Sequence, residues 1–174
     1  YTLNFAYGSG IAVEGAGFLL NNEMDDFSAK PGSANGYGLI GGTANAIQPK
    51  KRPLSSMTPT ILFDNNNKPI LATGTPGGST IITIVMQMIL NTIEFNMGIA
   101  EATAAPRIHH QWLPEQTRFE SKRFSEDQLL RLKSKGYDFG PSPSIGLVEG
   151  ILILPSGKRQ GGADSRGDDT VSAY

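Results

Sequence analysis

Three carboxylates fall within four residues in Leu19-Leu20-Asn21-Asn22-Glu23-Met24-Asp25-Asp26-Phe27, directly after an apolar run. Hard cations take carboxylate and amide oxygens, but a calcium loop of the EF-hand kind needs alternating ligands, a glycine at the bend and a distant glutamate, and none of these follows. Two readings stay open: a solvated loop surface, or a seat for a small organic cation such as an ammonium group. A second candidate is Arg52-Pro53-Leu54-Ser55-Ser56-Met57-Thr58-Pro59. Its adjacent hydroxyls, Ser55 and Ser56, either donate to a carboxylate or satisfy local backbone. A third is Gly74-Thr75-Pro76-Gly77-Gly78-Ser79-Thr80, which looks like a phosphate loop but lacks the lysine that would reach the phosphates. Gly77 and Gly78 either make a plain tight turn or present backbone N–H groups at the positive end of a helix, a site for an anion or a developing oxyanion.

Other signals carry less. Gly36 to Gly41 spells G-x-G-x-x-G without a preceding strand or a following helix. His109 and His110, the only histidines, diverge on either a helix or a strand and read as structural residues, not as a shared metal site. Arg166-Gly167-Asp168 is too short a match to use.

Composition narrows the classes. With 174 residues and 39% hydrophobic content the chain suits one domain with a sizeable core, residues 1–174. Fifteen basic against sixteen acidic residues leave a net charge of -1, so no nucleic-acid partner and no anionic membrane surface is expected. The absence of cysteine excludes disulfides, thiolate zinc sites and a cysteine nucleophile. The longest apolar segment, around Ile81 to Leu90, is interrupted by Thr83 and Gln87 and is too short for a bilayer, so no membrane insertion is expected; no signal peptide is read either.

These candidates need elements to hold them. Tyr1-Thr2-Leu3-Asn4-Phe5 alternates apolar and polar residues like a half-buried strand already in progress, with Thr2 and Asn4 on one face and a further segment expected upstream. Ile11 to Leu20 reads as a second strand region, and Gly32 to Gly42 as loop. Pro59 to Phe63 and Ile70 to Thr73 flank a turn and predict a hairpin. From Thr80 to Phe95 polar residues recur three or four apart, which predicts a helix capped by Ser79 and buried over most of its circumference. A helix over Ile99 to Ala105 stops at Pro106. Ser125-Glu126-Asp127-Gln128 is a capping box for another helix, ended by Gly136. Strands are expected at Thr117 to Glu120 and Gly150 to Leu154, with a turn at Pro155-Ser156-Gly157. Strands and helices come in blocks, which favours an antiparallel sheet covered by helices.

Four motifs occur in order: L-L-N-N-x-M-D-D-F, K-R-P-L-S-S-M, G-x-P-G-G-S and P-R-x-H-H-Q-W-L-P. Together they cover most of the chain, which resembles the small subunit of bacterial γ-glutamyltranspeptidase, an N-terminal-nucleophile hydrolase. The match weakens after Gly136, and Pro141 to Gly150 departs from the pattern. The resemblance implies an α+β fold, a four-layer αββα sandwich formed with a large subunit cut from the same precursor, in the periplasm or outside the cell and without cofactor or metal. It implies γ-glutamyl transfer from glutathione-like donors to water or an acceptor amino acid through an ester on a terminal threonine upstream of Tyr1. Thr2 then corresponds to an internal threonine supporting that nucleophile. Asp26 would hold the donor's α-ammonium with Glu23 and Asn4 beside it, although many bacterial relatives carry glutamine at the position of Glu23. Ser55 and Ser56 would take the α-carboxylate, Gly77 and Gly78 would form the oxyanion hole, and Tyr37 would be a lid over the bound glutamyl group. Two alternatives are kept: a related acylase acting on cephalosporin side chains or poly-γ-glutamate, and a non-catalytic amino-acid-binding module.

Overall fold

The hairpin forms where turn chemistry separates two short apolar runs. Strands β1 (Thr60–Phe63) and β2 (Pro69–Gly74) pair antiparallel, and Asp64 Oδ1 closes the turn by accepting the N–H groups of Asn66 and Lys68, both at 2.8 Å. In this computed structural model, which describes residues 2–172, the chain forms two compact units, the first ending at Met57 and the second beginning at Thr58.

In the second unit the hairpin extends into a four-stranded antiparallel sheet, ordered β1-β2-β6-β7, with β6 at Glu149–Ile153 and β7 at Arg159–Gly162. Helices α1 (Ile81–Ile89) and α2 (Ile99–Ala104) pack on it. Leu71, Ile84, Met88, Ile99, Ala102, Ile145 and Val148 form the core between them. Ile99 sits so near the sheet that a Cβ on Gly150 would lie 2.7 Å from its Cδ1, and one on Gly162 2.9 Å from its Cγ1; glycine is what lets helix and sheet close up there. A second sheet holds β3 (Ile108–His109), β4 (Thr117–Glu120) and β5 (Phe139–Ser142), with β3 and β4 antiparallel. Strands β4 and β5 are parallel, joined through α3 (Glu126–Lys133). The predicted capping box is present at its start: Gln128 N–H donates to Ser125 Oγ (3.2 Å) and Ser125 N–H to Gln128 Oε1 (2.9 Å).

Four buried charges tie this unit together. Glu120 forms a two-point pair with Arg166 and accepts the N–H groups of Arg107 (2.9 Å) and Ile145 (3.0 Å). Asp164 pairs with Arg107 at 2.6 Å and Arg166 at 3.0 Å, and takes the N–H of Val148 at 2.7 Å. Both guanidinium groups also donate to carbonyls at the end of α2 and just beyond: Arg107 to Thr103, Arg166 to Thr103 and Ala105. Arg166, the first residue of the tripeptide set aside above, is thus an internal brace.

Several expectations need correcting. Residues 2–5 form no strand, because Asn4 (φ 62°), Phe5 (φ 45°) and Tyr7 (φ 66°) lie in the left-handed region and Gly8 N–H closes a turn on Asn4 O at 2.9 Å. The Tyr1 end of that expected strand lies outside the described residues. Ile11 to Leu20 is reduced to one bridge, Ala12 to Leu19. The long helix becomes a turn of 3₁₀ (Gly78–Thr80), α1, and a π-helical turn over Leu90–Glu94. Ser79 does not cap it, since its hydroxyl donates to Gln111 instead. Nor is the apolar circumference buried: Ile82, Met86, Leu90 and Ile93 are exposed. The polar stripe faces protein, with Gln87 pairing its side-chain amide to both backbone groups of Ile108, as a neighbouring strand would.

The first unit has little regular structure. It holds 3₁₀ turns at Glu23–Asp26 and Thr43–Asn45, bridges at Ala12 to Leu19 and Ala34 to Ile40, and a buried Phe27 with Lys51 Nζ 5.8 Å above its ring.

Candidate active site

In the first unit the acidic stretch turns because its backbone is held from outside. Asn45 Nδ2 donates to the carbonyl of Asp26 at 2.7 Å, and Asn45 O accepts from Ser28 N–H at 2.9 Å. The Asp26 side chain is thereby presented half-buried, where buried Asn4 reaches it: Asn4 Nδ2 donates to Asp26 Oδ2 at 3.1 Å. The other end of the same amide, Asn4 Oδ1, accepts from Tyr37 Oη at 3.2 Å, and the Tyr37 ring stacks on Phe5 with centroids 4.7 Å apart. Thr2 Oγ1 accepts Asn4 N–H at 3.0 Å and so fixes the asparagine's backbone. Asn4, Asp26 and Tyr37 are brought together as one chain of hydrogen bonds.

Glu23 and Ser56 form a second pair. Glu23 is buried, and Ser56 Oγ donates to its Oε1 at 3.2 Å. Ser55 does something else: its hydroxyl lies 3.3 Å from both the N–H and the carbonyl of Met57, the local backbone role left open above. An open cavity of about 390 Å³ is lined by Glu23, Arg52, Pro53, Leu54, Ser55, Ser56 and Met57, large enough for an amino acid.

The electrostatics favour a cation. Burial pushes the Asp26 carboxyl above its usual range, and the neighbouring charges of Glu23 and Asp25 push it the same way, against the lowering bonds from Asn4 and Ser56. A carboxylate so crowded by like charge gains most from a bound ammonium. If that is its partner, affinity for the ammonium is complete where Asp26 is ionised and falls as the pH drops through its raised value. The acid limb of ammonium binding is therefore expected above the ordinary aspartate range and should vanish in Asp26→Asn, measured as a binding pH profile with an amine that stays protonated throughout.

In the second unit the glycine turn leads into α1. Gly77 (φ 144°) and Gly78 (φ 57°) adopt left-handed conformations, and Gly77 O accepts both Thr80 N–H (3.1 Å) and Thr80 Oγ (2.8 Å). A side chain on Gly77 would land on Thr80 Oγ1. His109 is buried between Thr83 (2.7 Å) and Gln111 (2.9 Å), and burial, ahead of its neighbours Arg118 and His110, pushes its pKa down. Among the described residues no cluster suited to a metal ion occurs, and no helix is long and apolar enough to cross a membrane. Asn45 and Thr80 have no signal in the sequence, because single hydroxyl and amide residues carry no spacing pattern.

The solved structures supply the class. A Helicobacter pylori γ-glutamyltranspeptidase mutant superposes with a TM-score of 0.90 at 52% identity, over 96% of this chain and 91% of that one. The Pseudomonas nitroreducens γ-glutamyltranspeptidase complexed with L-DON gives 0.89 at 40% identity, over 100% of this chain and 91% of that one. Fold and neighbours together define an α+β chain of the N-terminal-nucleophile hydrolase class. Within that class the chain belongs to the gamma-glutamyltranspeptidase family, whose model matches residues 1–174. The Escherichia coli (strain K12) glutathione hydrolase proenzyme is 51% identical over 173 residues, 99% of this chain. The chain spans only 30% of that relative's length.

Proposed function

We propose that this chain is the small, catalytic subunit of a γ-glutamyltransferase and glutathione hydrolase. The observation that carries the reading is the crowded, half-buried Asp26, held by Asn4 within a unit that also pairs Glu23 with Ser56. In this reading Asp26 seats the donor's α-ammonium, with Glu23 and Asn4 beside it. Ser55 and Ser56 take the α-carboxylate, Ser55 exchanging its local bond for the substrate. Tyr37, tethered to Asn4, covers the head group. A terminal threonine of the longer protein attacks the γ-carbonyl, its hydroxyl proton passing to its own amine. The N–H groups of Gly77 and Gly78 stabilise the oxyanion; collapse expels the leaving amine with that proton and leaves a γ-glutamyl ester, which water or an acceptor amine then cleaves.

A large subunit from the same precursor completes the enzyme, and the exposed row Ile82, Met86, Leu90 and Ile93 is apolar surface suited to being covered by it. Residues 1–174 alone are expected to be inactive. The reaction needs no cofactor, and a periplasmic or extracellular location belongs to the same reading.

The test is donor discrimination by the complete enzyme. Replacing both Ser55 and Ser56 by alanine should raise the donor KM on the order of tenfold or more in initial-rate assays with a γ-glutamyl anilide, because two donors to a charged group are lost. An unchanged KM would return the pair to local backbone duty.

A further inference from the structure

The Pro76–Gly77 and Gly77–Gly78 peptides each have a threonine hydroxyl on their carbonyl. Thr75 Oγ donates to Pro76 O at 2.7 Å, and Thr80 Oγ donates to Gly77 O at 2.8 Å, where Thr80 N–H also arrives at 3.1 Å. Neither peptide is cis; the one cis bond among the described residues is Leu113-Pro114. In a planar trans peptide the N–H points opposite to the C=O. Fixing Pro76 O therefore aims the N–H of Gly77, and fixing Gly77 O aims that of Gly78. Among the described residues neither N–H donates to a backbone carbonyl. We infer that Thr75 and Thr80 are positioning residues that clasp these two carbonyls and so hold both N–H groups turned outward, ready for an oxyanion. The inference rests on the proposed role of Gly77 and Gly78 and adds what orients them.

The clasp is itself braced. Thr75 Oγ1 accepts Leu147 N–H at 3.0 Å, so its one hydrogen is left for Pro76 O. Leu147 lies in the segment whose backbone the buried charges grip, at Ile145 N–H through Glu120, at Ile145 O through Arg107 and at Val148 N–H through Asp164. Gly146 (φ 68°) brings this segment against the turn, since a Cβ there would lie 2.8 Å from Thr75 Oγ1 and 3.3 Å from Pro76 O. Thr80, buried, serves the second carbonyl from the start of α1, and the absence of a side chain at Gly77 is what gives its hydroxyl room. Hydrogen-bond donors catalyse well when they are held in place before charge develops, and a freed peptide would have to be reoriented during the reaction.

The experiment replaces each threonine by valine, which keeps the branched shape and removes the hydroxyl, and by serine, which keeps the hydroxyl. In the complete processed enzyme, single-turnover acylation by a γ-glutamyl anilide should slow about tenfold or more in Thr75→Val and in Thr80→Val, with donor KM within about threefold of wild type. Thr75→Ser and Thr80→Ser should recover most of the rate. Valine variants that acylate like wild type, or serine variants as slow as the valine ones, would overturn the clasp. Thr75 is only half-buried, so Thr75→Val keeps the test open should Thr80→Val fail to fold. A wild-type enzyme that does not react with the anilide would refute the γ-glutamyl reading instead. The clasp is then judged by hydrogen exchange at the Gly77 and Gly78 amides, which must change in the valine variants and contradicts the clasp if it does not.

Discussion

Asp26→Asn in the complete enzyme is expected to lower kcat/KM for a γ-glutamyl anilide by about thirtyfold to a few thousandfold. The amide keeps the carboxylate's shape and can still meet Asn4, but it removes the charge that would pair with the ammonium. Loss of a desolvated charge partner costs about 2–5 kcal/mol, which converts to that range of rates. Folding should not suffer, because Asp26 sits among like charges and its carboxyl is already pushed up by burial and by Glu23 and Asp25. Steady-state kinetics beside a thermal melt separate the two effects. A specificity constant within a few-fold of wild type would remove Asp26 from its role.

The largest effect on stability is expected at the buried charges. Arg107→Ala takes from Asp164, whose side chain has no exposure, one of its two guanidinium partners, leaving only Arg166, and removes the bonds to Ile145 O and Thr103 O. With one partner left, the cost is expected near the lower end of what breaking a buried pair outright costs, about 3 kcal/mol, read as a lower Tm. Arg131→Ala is the control: its pair with Asp127 is exposed on α3, and no measurable change in Tm is expected. The same cluster sets an acid limit. Burial pushes Glu120 and Asp164 up, but the Arg166 and Arg107 guanidinium groups and the N–H groups of Arg107, Ile145 and Val148 outweigh it and hold both carboxyls below their usual range. A lowered folded value gives stability that is complete above the unfolded carboxylate range, near pH 4, and is lost as the pH falls through the lowered values. Thermal melts across pH 3–7 should show that loss in wild type and a weaker dependence in Arg107→Ala.

Much of the second unit was readable because its signals are local. The hairpin turn at Asp64, the capping box at Ser125 and the strand runs at Thr117 and Gly150 each depend on residues a few positions apart. Strands β5 and β7 were not foreseen, since Phe139–Ser142 and Arg159–Gly162 contain proline or paired glycines and take their shape from neighbouring strands. The outward apolar stripe of α1 is not legible in the sequence, because periodicity separates two faces without saying which one meets protein. In the first unit the alternation at Thr2 to Phe5 was overruled by left-handed residues that asparagine and a tight turn accommodate. The candidate site was legible as residue types, carboxylates, hydroxyls and glycines. What joins them was not, because Asn4 to Asp26, Tyr37 to Asn4 and Ser56 to Glu23 each span more than twenty residues.

The chain is proposed to serve an enzyme that grips a free glutamyl head group and transfers its γ-acyl part. The most direct measurement is rapid mixing of the complete enzyme with a γ-glutamyl anilide and with the same anilide acetylated on its α-amine, following leaving-group release and the intact mass of the small subunit. Expected are a burst with one γ-glutamyl group added to the subunit from the free-amine donor, and a rate lower by about two orders of magnitude or more from the acetylated donor, which cannot pair with Asp26. Equal reaction of the two donors, or turnover without any covalent adduct, would contradict it.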